Sequence, residues 1–397
     1  MTIARRALAA LALSAAASST AGLFALTGTA HAASVAEGSV RDANVTGAIA
    51  DHYIVVTKDG ADADALAGKV GGQVGTRYSS AVKGFAATMS ETAAKRLAAD
   101  PSVSYVEQDR TVSIESTTQA SPPNWGLDRI DQPSLPLDHS YTAGSAASVH
   151  AYIIDTGVRM TQSEYAGRVT SGYDFVDRDT DASDCQGHGT HVAGTVGGKT
   201  YGVAKDVQLV AVRVLNCQGA GTYSQIIAGV DWVTKNAVKP AVANMSLGGA
   251  AGSTLDNAVQ KSIDSGVTYV VAGGNDSRDA CTKSPARLSA AITVGATDNT
   301  DKQASFSNYG KCLDIYAPGV NILSSSNKSD TATMRMSGTS QATPHVAGAA
   351  ALYLQNHPTA TPQQVRDAIV GAATTGAVKG APATSPNKLL NITALTS

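Results

Sequence analysis

The sequence predicts an α/β domain, a mostly parallel sheet between two helical layers, preceded by a small α+β unit. Three observations carry this. From Trp125 onward, short apolar runs ("VHAYIID", "VQLVAVRVL", "AVANMSLG", "VTYVVAGG", "AITVGAT") alternate with helical stretches such as "SQIIAGVDWVTKNA" and "STLDNAVQKSIDSG". Strands that are apolar at nearly every position are buried on both faces, so helices must cross over on each side of the sheet. Before Trp125 the elements are fewer and alternate differently. The length of 397 residues leaves room for two or three units and a large core.

The elements follow in order. Residues 1–32 read as an export signal: Arg5 and Arg6 give the positive start, an Ala-rich apolar stretch follows, and Ala30-His31-Ala32 supplies small residues for cleavage. The chain is therefore expected to be secreted and extracellular. Residues 33–52 are polar and Ala-rich and read as a linker. The unit over 53–116 has a strand in "YIVVTK", a helix in "ADADALAGKV", a strand in "KGFAATM", a helix "ETAAKRLAAD" capped by Ser90, and a strand in "VSYVEQD". "SIESTTQASPPN" (113–124) looks exposed and cleavable. Residues 117–397 form the main domain. The net charge of −2 without runs of one sign argues against nucleic acid or an anionic membrane as a main partner. Four cysteines, Cys185, Cys217, Cys281 and Cys312, imply two disulfides in an exported chain, with three connectivities open.

Three chemistries compete for the same residues. Asp155-Thr156-Gly157 ends a strand, and Asp264-Ser265-Gly266 offers a second copy of an acid dyad. That second copy falls at helical spacing after Leu255, Val259 and Ile263, so it reads as a helix end with a glycine cap. His188 and His191 are spaced for a metal, but Gly189 stands where a zinc-protease helix needs a glutamate. The third reading joins Asp155, His188 and Ser340. A serine hydroxyl needs a base, and the base needs a carboxylate to orient it. Asp155 lies at a strand end, while His188 and Ser340 lie at helix starts, and these positions converge on one edge of an open α/β sheet. Ser340, in "MRMSGTSQATPHVAG", has a plainer alternative as a capping serine. An α/β-hydrolase elbow is the weaker rival, since Gly338-Thr339-Ser340-Gln341-Ala342 lacks G-x-S-x-G and that fold wants the serine first in chain order.

"IIDTGV", "GHGTHVAGT", "VVAGGN" and "SGTSQATPHVAG", in that order, resemble the subtilisin superfamily of serine proteases, within it the proteinase K-like group. The likeness runs from Trp125 to about Leu390, and the preceding unit resembles the inhibitor-type propeptide of such enzymes. The resemblance implies a subtilisin-like three-layer domain after a ferredoxin-like propeptide, in a monomeric, self-processing zymogen cut near Thr117–Gln119. Its partners would be protein and peptide substrates and its own propeptide, acting as intramolecular inhibitor. It implies Ser340 as nucleophile, His188 as base and then acid, Asp155 as orienting carboxylate and Asn275 as oxyanion donor. Substrate would lie as an added strand between Gly219, Ala220 and Gly221 on one side and Ser246, Leu247 and Gly248 on the other. Ala272, Gly273 and Gly274 would leave room for an apolar or aromatic residue before the scissile bond. The resemblance pairs Cys185 with Cys217 and Cys281 with Cys312, and implies no catalytic cofactor. It implies structural calcium at Asp128, Asp131, Gln132, Asp138 and Ser140, and again at Asp314 with Ser289 and Ala291. One departure stands out: Gln341 follows Ser340 where the family usually has methionine, which implies lower sensitivity to oxidants and amide atoms that need partners.

Overall fold

A computed structural model describes residues 36–45, 47–58, 60–113, 117–118, 124–142 and 145–395. The export signal read over 1–32, and Gln119 at the expected junction, lie outside these residues.

The small unit contains β1 (Val40–Arg41), β2 (Ala48–Thr57), α1 (Ala63–Lys69), β3 (Gln73–Tyr78), β4 (Gly84–Thr88), α2 (Glu91–Ala98) and β5 (Val103–Ser113). Its strands lie in the order β1-β5-β2-β4-β3. Without β1 this is the split βαββαβ arrangement of a ferredoxin-like unit. Side Asp62 opens α1 by accepting from the N–H groups of Asp64 and Ala65, and Ser90 opens α2 through the N–H of Ala93. Along β2 the side chains alternate. Tyr53 and Val55 pack with Leu66, Phe85, Leu97 and Val106, while Ile54 faces the other way.

Two stretches differ from the sequence reading. The supposed linker carries β1 and the first residues of β2. β1 pairs in parallel along β5 (Val40 with Val106, Arg41 with Glu107), and such backbone pairing demands no apolar run. "QVGTRY", not read as a strand, is β3. It is an edge strand whose alternation is broken by a register shift at Gly75.

The body starts with β6 (Thr117–Thr118) and α3 (Trp125–Ile130), then β7 (His150–Asp155), β8 (Val169–Asp174), α4 (His188–Gly197) and β9 (Gln208–Arg213). Next come β10 (Ala220–Thr222), α5 (Tyr223–Asn236), β11 (Ala241–Met245), β12 (Gly249–Ala250), α6 (Ser253–Asp264) and β13 (Thr268–Ala272). The remainder is β14 (Lys283–Ser284), β15 (Ile292–Thr297), β16 (Ile315–Pro318), β17 (Ile322–Ser325), β18 (Thr333–Ser337), α7 (Thr339–Asn356), α8 (Pro362–Ala372), β19 (Thr374–Thr375) and β20 (Lys388–Leu389). Among the described residues the main sheet has nine strands, in the order β19-β20-β16-β15-β13-β11-β7-β9-β8, parallel except at the β19 edge. Its double-sided burial shows in β7. Ala151 and Ile153 join the core under α4, α7 and α8, while Tyr152 and Ile154 join the core under α5 and α6.

The small unit docks on the α5–α6 face. Ile54, Tyr78, Ala81 and Val82 enter the same apolar cluster as Tyr223, Ile226 and Ile227. Polar contacts ring it. Glu107 is fully buried, and one carboxylate oxygen accepts from the Thr254 N–H (2.9 Å), the Thr254 hydroxyl and the Ser253 hydroxyl at the start of α6. Gly252, the cap residue of that helix, has no side chain to do this. Asp109 accepts from the N–H and hydroxyl of Ser224 at the start of α5. In return Asp231, on α5, accepts from the N–H groups of Ser79, Ser80 and Ala81. Arg110 is buried between Glu107, Asp42 and the Ala251 carbonyl.

The two ends of the joining segment are also paired to the body. The end of β5 runs antiparallel to β10 (Thr111 with Thr222, Val112 with Gly221, Ser113 with Ala220). β6 runs antiparallel to the end of β18.

Candidate active site

Ser340 is not a cap. Gly338 occupies that position, and Ser340 lies in the first turn of α7, where N–H groups lack intrahelical acceptors. Pro344, four residues on, has no N–H to give to the Ser340 carbonyl. The hydroxyl of Ser246 takes that place, donating to the Ser340 carbonyl at 2.8 Å, and Asn244 in turn donates to Ser246. Proline in the first turns therefore ties the nucleophile candidate to the segment after β11.

Asp155 ends β7, fully buried, with Oδ1 2.8 Å from His188 Nδ1 and accepting from the Thr156 N–H. His188 opens α4. The close approach depends on Gly189, where a Cβ would lie 2.1 Å from the Gly157 carbonyl. A glutamate at that position, as zinc-protease chemistry wants, cannot be accommodated. His191 instead faces the Ile322 carbonyl at 3.0 Å, and burial lowers its pKa to about 3, so it packs as a neutral ring. Asp264 is exposed at the end of α6 and Gly266 has φ +98°, the helix end that the sequence suggested. The acid-dyad reading fails on this placement.

Asp184 was missed in the sequence. Its two oxygens accept from the Thr156 hydroxyl, the Thr190 hydroxyl and the N–H groups of Gln186, Gly187 and Thr190. It thus ties the start of α4 to the end of β7. Its only sequence signal was an acid four residues before His188.

Ser340 Oγ donates to the Ser246 carbonyl at 3.0 Å, and His188 Nε2 has no hydrogen-bond partner among the described residues. The two are not hydrogen-bonded to each other here. Asn275 Oδ1 accepts from the N–H and hydroxyl of Thr339, both at 2.8 Å. This fixes the amide orientation and leaves Nδ2 as the donor on the opposite side. A recess beside Ser340 is lined by Leu247, Gly248, Ala272, Gly274, Asn275, Lys283 and Thr339. Gly273 does not line it. A Cβ there would press on Leu313 and the Val294 carbonyl, so this glycine serves strand packing. Gly219 (φ +73°) turns the chain into β10, whose Ala220 and Gly221 carry the antiparallel pairing to β5.

Gln341 is fully buried. Its Nε2 lies 3.6 Å from Met336 Sδ, and its Oε1 has no partner among the described residues. The amide's needs are thus half met, and a thioether still lies one contact from the residue after Ser340.

The disulfides are Cys185–Cys217 and Cys281–Cys312. The two expected cation loops diverge. Asp128 and Asp131 each give one oxygen to a backbone N–H (His139, Thr142), and each keeps Oδ1 buried without a partner among the described residues. Burial raises both carboxyl pKa values. Gln132 accepts from the Asp138 N–H, and Asp138 accepts from the Ser140 N–H, so the loop is folded around this pair. These are oxygen donors of the kind a hard cation takes, although among the described residues no three acids or histidines are drawn together to hold one. At Asp314, expected with Ser289 and Ala291 to hold a second ion, the contacts are of another kind. Asp314 Oδ1 accepts from the Arg366 guanidinium and Oδ2 from the Thr293 N–H, so a side chain already supplies the counter-charge.

Residues 137–388 match the subtilase family, and residues 52–115 match the peptidase inhibitor I9 family. This chain belongs to the subtilase family. It is 51% identical, over 90% of its length and 93% of the relative's, to the extracellular serine proteinase of Thermus sp. (strain Rt41A). It is 49% identical to alkaline serine exoprotease A of Vibrio alginolyticus, over 86% of this chain and 67% of that one. A crystal structure of a cold adapted subtilisin-like serine proteinase superposes with a TM-score of 0.66 at 53% identity, covering 68% of this chain and 98% of that one. The subtilase is thus a serine proteinase of subtilisin-like fold with an I9-type propeptide. Among its described residues no helix is long and apolar enough to cross a membrane.

Proposed function

We propose that this subtilase is a secreted endopeptidase of broad specificity, made as a self-processing zymogen, with Ser340 as nucleophile. The observation that carries the reading is the buried 2.8 Å contact of His188 Nδ1 with Asp155, in a body where Ser340 and Asn275 line one recess. His188 Nε2 takes the Ser340 proton once the hydroxyl turns from the Ser246 carbonyl, and later returns it to the leaving amine. Asp155 holds the ring and stabilises its cation. Asn275 Nδ2, with the Ser340 N–H, receives the oxyanion. Substrate pairs with β10 and the segment Ser246–Gly248 through its backbone, which tolerates many sequences. The antiparallel pairing of β5 with β10 supports the propeptide's occupying that groove. Processing between 116 and 119 then frees it. Asp128, Asp131, Gln132, Asp138 and Ser140 would hold a structural calcium, which would neutralise the two orphaned carboxylate oxygens and take no part in the chemistry.

The test compares wild type with Ser340→Ala on a denatured protein substrate, with and without a serine-directed phosphonylating reagent. The mutant is expected to stay unprocessed and to lose at least about 10³-fold in turnover, and the reagent to block the wild type. A mutant that matures and cuts normally sinks the assignment of Ser340.

A further inference from the structure

The recess beside Ser340 has uncharged walls except at one position. Among the residues lining it, Lys283 alone is charged. It sits on β14, whose antiparallel pairing to β12 (Ala250 with Lys283, Gly249 with Ser284) continues the edge formed by Leu247 and Gly248. Backbone register, rather than a flexible loop, therefore delivers the lysine to the recess.

The ammonium is only partly committed. Its Nζ lies 2.6 Å from Asp276 Oδ2, with side-chain exposures of 21% and 30%. An ammonium has three donors, and this contact uses one. Asp276 directly follows Asn275, and its N–H donates to Asn308 Oδ1, which fixes its backbone. Its other oxygen, Oδ1, is buried without a hydrogen-bond partner among the described residues. The pair is thus a neutral couple at the wall of an otherwise uncharged recess, with donors to spare.

Resting on the reading of Ser340 as nucleophile and of this recess as the pocket for the residue before the scissile bond, we propose that Lys283 makes the pocket accept an acidic residue there and reject a basic one. Asp276 sets the strength of that preference by competing for the ammonium. A substrate carboxylate entering the recess meets the remaining donors of Lys283 and completes a three-charge cluster. A substrate ammonium meets a like charge in a walled, poorly screened space. Apolar side chains remain welcome, because the lysine stem is itself apolar and its head turns to Asp276.

The experiment uses mature enzyme and peptides that differ only before the scissile bond: Glu, Gln, Leu or Lys. The readout is the Glu-to-Gln ratio of kcat/KM, since these two share shape and differ in charge, and a general loss of activity does not move it. Lys283→Met is expected to lower that ratio about 10-fold and to improve cleavage after Lys. Asp276→Asn is expected to raise the ratio about 5-fold, in the range of charge-pair effects at partly desolvated sites. Both effects shrink with added salt. Lys283→Arg keeps the charge and is expected to keep most of the preference. A ratio that stays put in Lys283→Met, or that falls equally in Lys283→Arg, overturns the proposal while leaving the protease reading intact. Full hydrolysis by Ser340→Ala would instead overturn the reading beneath it, whatever the ratio.

Discussion

The small sheet and the large sheet bury their faces by opposite means. The large sheet is covered on both sides mostly by its own helices, and two disulfides close loops with sequence separations of 32 and 31 residues. In the chain-entropy picture each such link contributes roughly 3–4 kcal/mol. The small sheet covers one face with α1 and α2, around Tyr53, Phe85, Leu97 and Val106. On its other face, Ile54, Tyr78 and Val82 pack against α5 and α6 of the body. A single core of this size rarely yields more than about 3–5 kcal/mol. On this count the small unit leans on the body more than the body leans on it, and the contacts between them are where that dependence is tested.

Removing Glu107 is the strongest way to break that dependence. Glu107→Ala strips the start of α6 of its acceptor and leaves Arg110 a buried cation facing Asp42, a carbonyl and the Tyr223 ring. Breaking one side of a buried pair costs about 3–5 kcal/mol. Inhibition of mature enzyme by the propeptide supplied in trans is expected to weaken more than about 100-fold. Asp109→Ala, which removes a supplementary cap from α5, is expected to weaken it about 5- to 20-fold. Undiminished inhibition by Glu107→Ala would show that the propeptide stands without these carboxylates.

What the sequence made legible follows the same division. The parallel strands of the body were readable because burial on both faces leaves unbroken apolar runs, as in "AVANM". Asp155, His188 and Ser340 were readable because their neighbours (Thr156, Gly189, Pro344) are dictated by tight local geometry. β1 and β3 were not, since both pair through backbone and one face of each is wet. Contacts between distant residues left no local trace either. Arg366 meets Asp314 from 52 positions away, and Asp231 meets Ser80 from 151. Lys283 gave no signal because its meaning depends on the register of a two-residue strand.

Asp109 at the interface and the buried histidines of the body answer pH with opposite signs. Asp109 is buried at the interface, and burial raises its pKa above the usual 3.8. Its share of docking is full below that usual value and is lost as pH rises through the raised one. His191 and His345 are buried in the body, and burial lowers them from 6.5 to about 3 and about 4. Their share of stability is present above pH 6.5 and is lost as pH falls toward the lowered values. In the body these histidines pull against buried carboxyls with raised pKa values, such as Asp256 and Asp314, which act with the sign of Asp109. The share of the two histidines is expected to fall by on the order of 2–4 kcal/mol between pH 6.5 and 5, seen as a falling denaturant midpoint. Propeptide inhibition, measured alongside, is expected to tighten with acid, and Asp109→Asn to flatten that response. Parallel trends in both quantities would erase the contrast.

Within the body, two acidic loops repeat the comparison at smaller scale. Asp314 has its cation built in as Arg366, whereas Asp128 and Asp131 hold buried oxygens that no described group satisfies. The first loop should be indifferent to chelation and the second sensitive. If calcium is held at about 100 times its dissociation constant, removing it costs about 2.7 kcal/mol, or about 5–10 °C in Tm for a domain of this size. Asp131→Asn is expected to abolish the shift on adding chelator, and Arg366→Ala to leave it in place. A chelator-induced drop that survives Asp131→Asn would move the metal elsewhere. A drop that disappears with Arg366→Ala would mean that the guanidinium does not replace the ion but helps to hold it. Propeptide inhibition should be blind to all of these changes, because neither loop supplies a contact to the docked sheet.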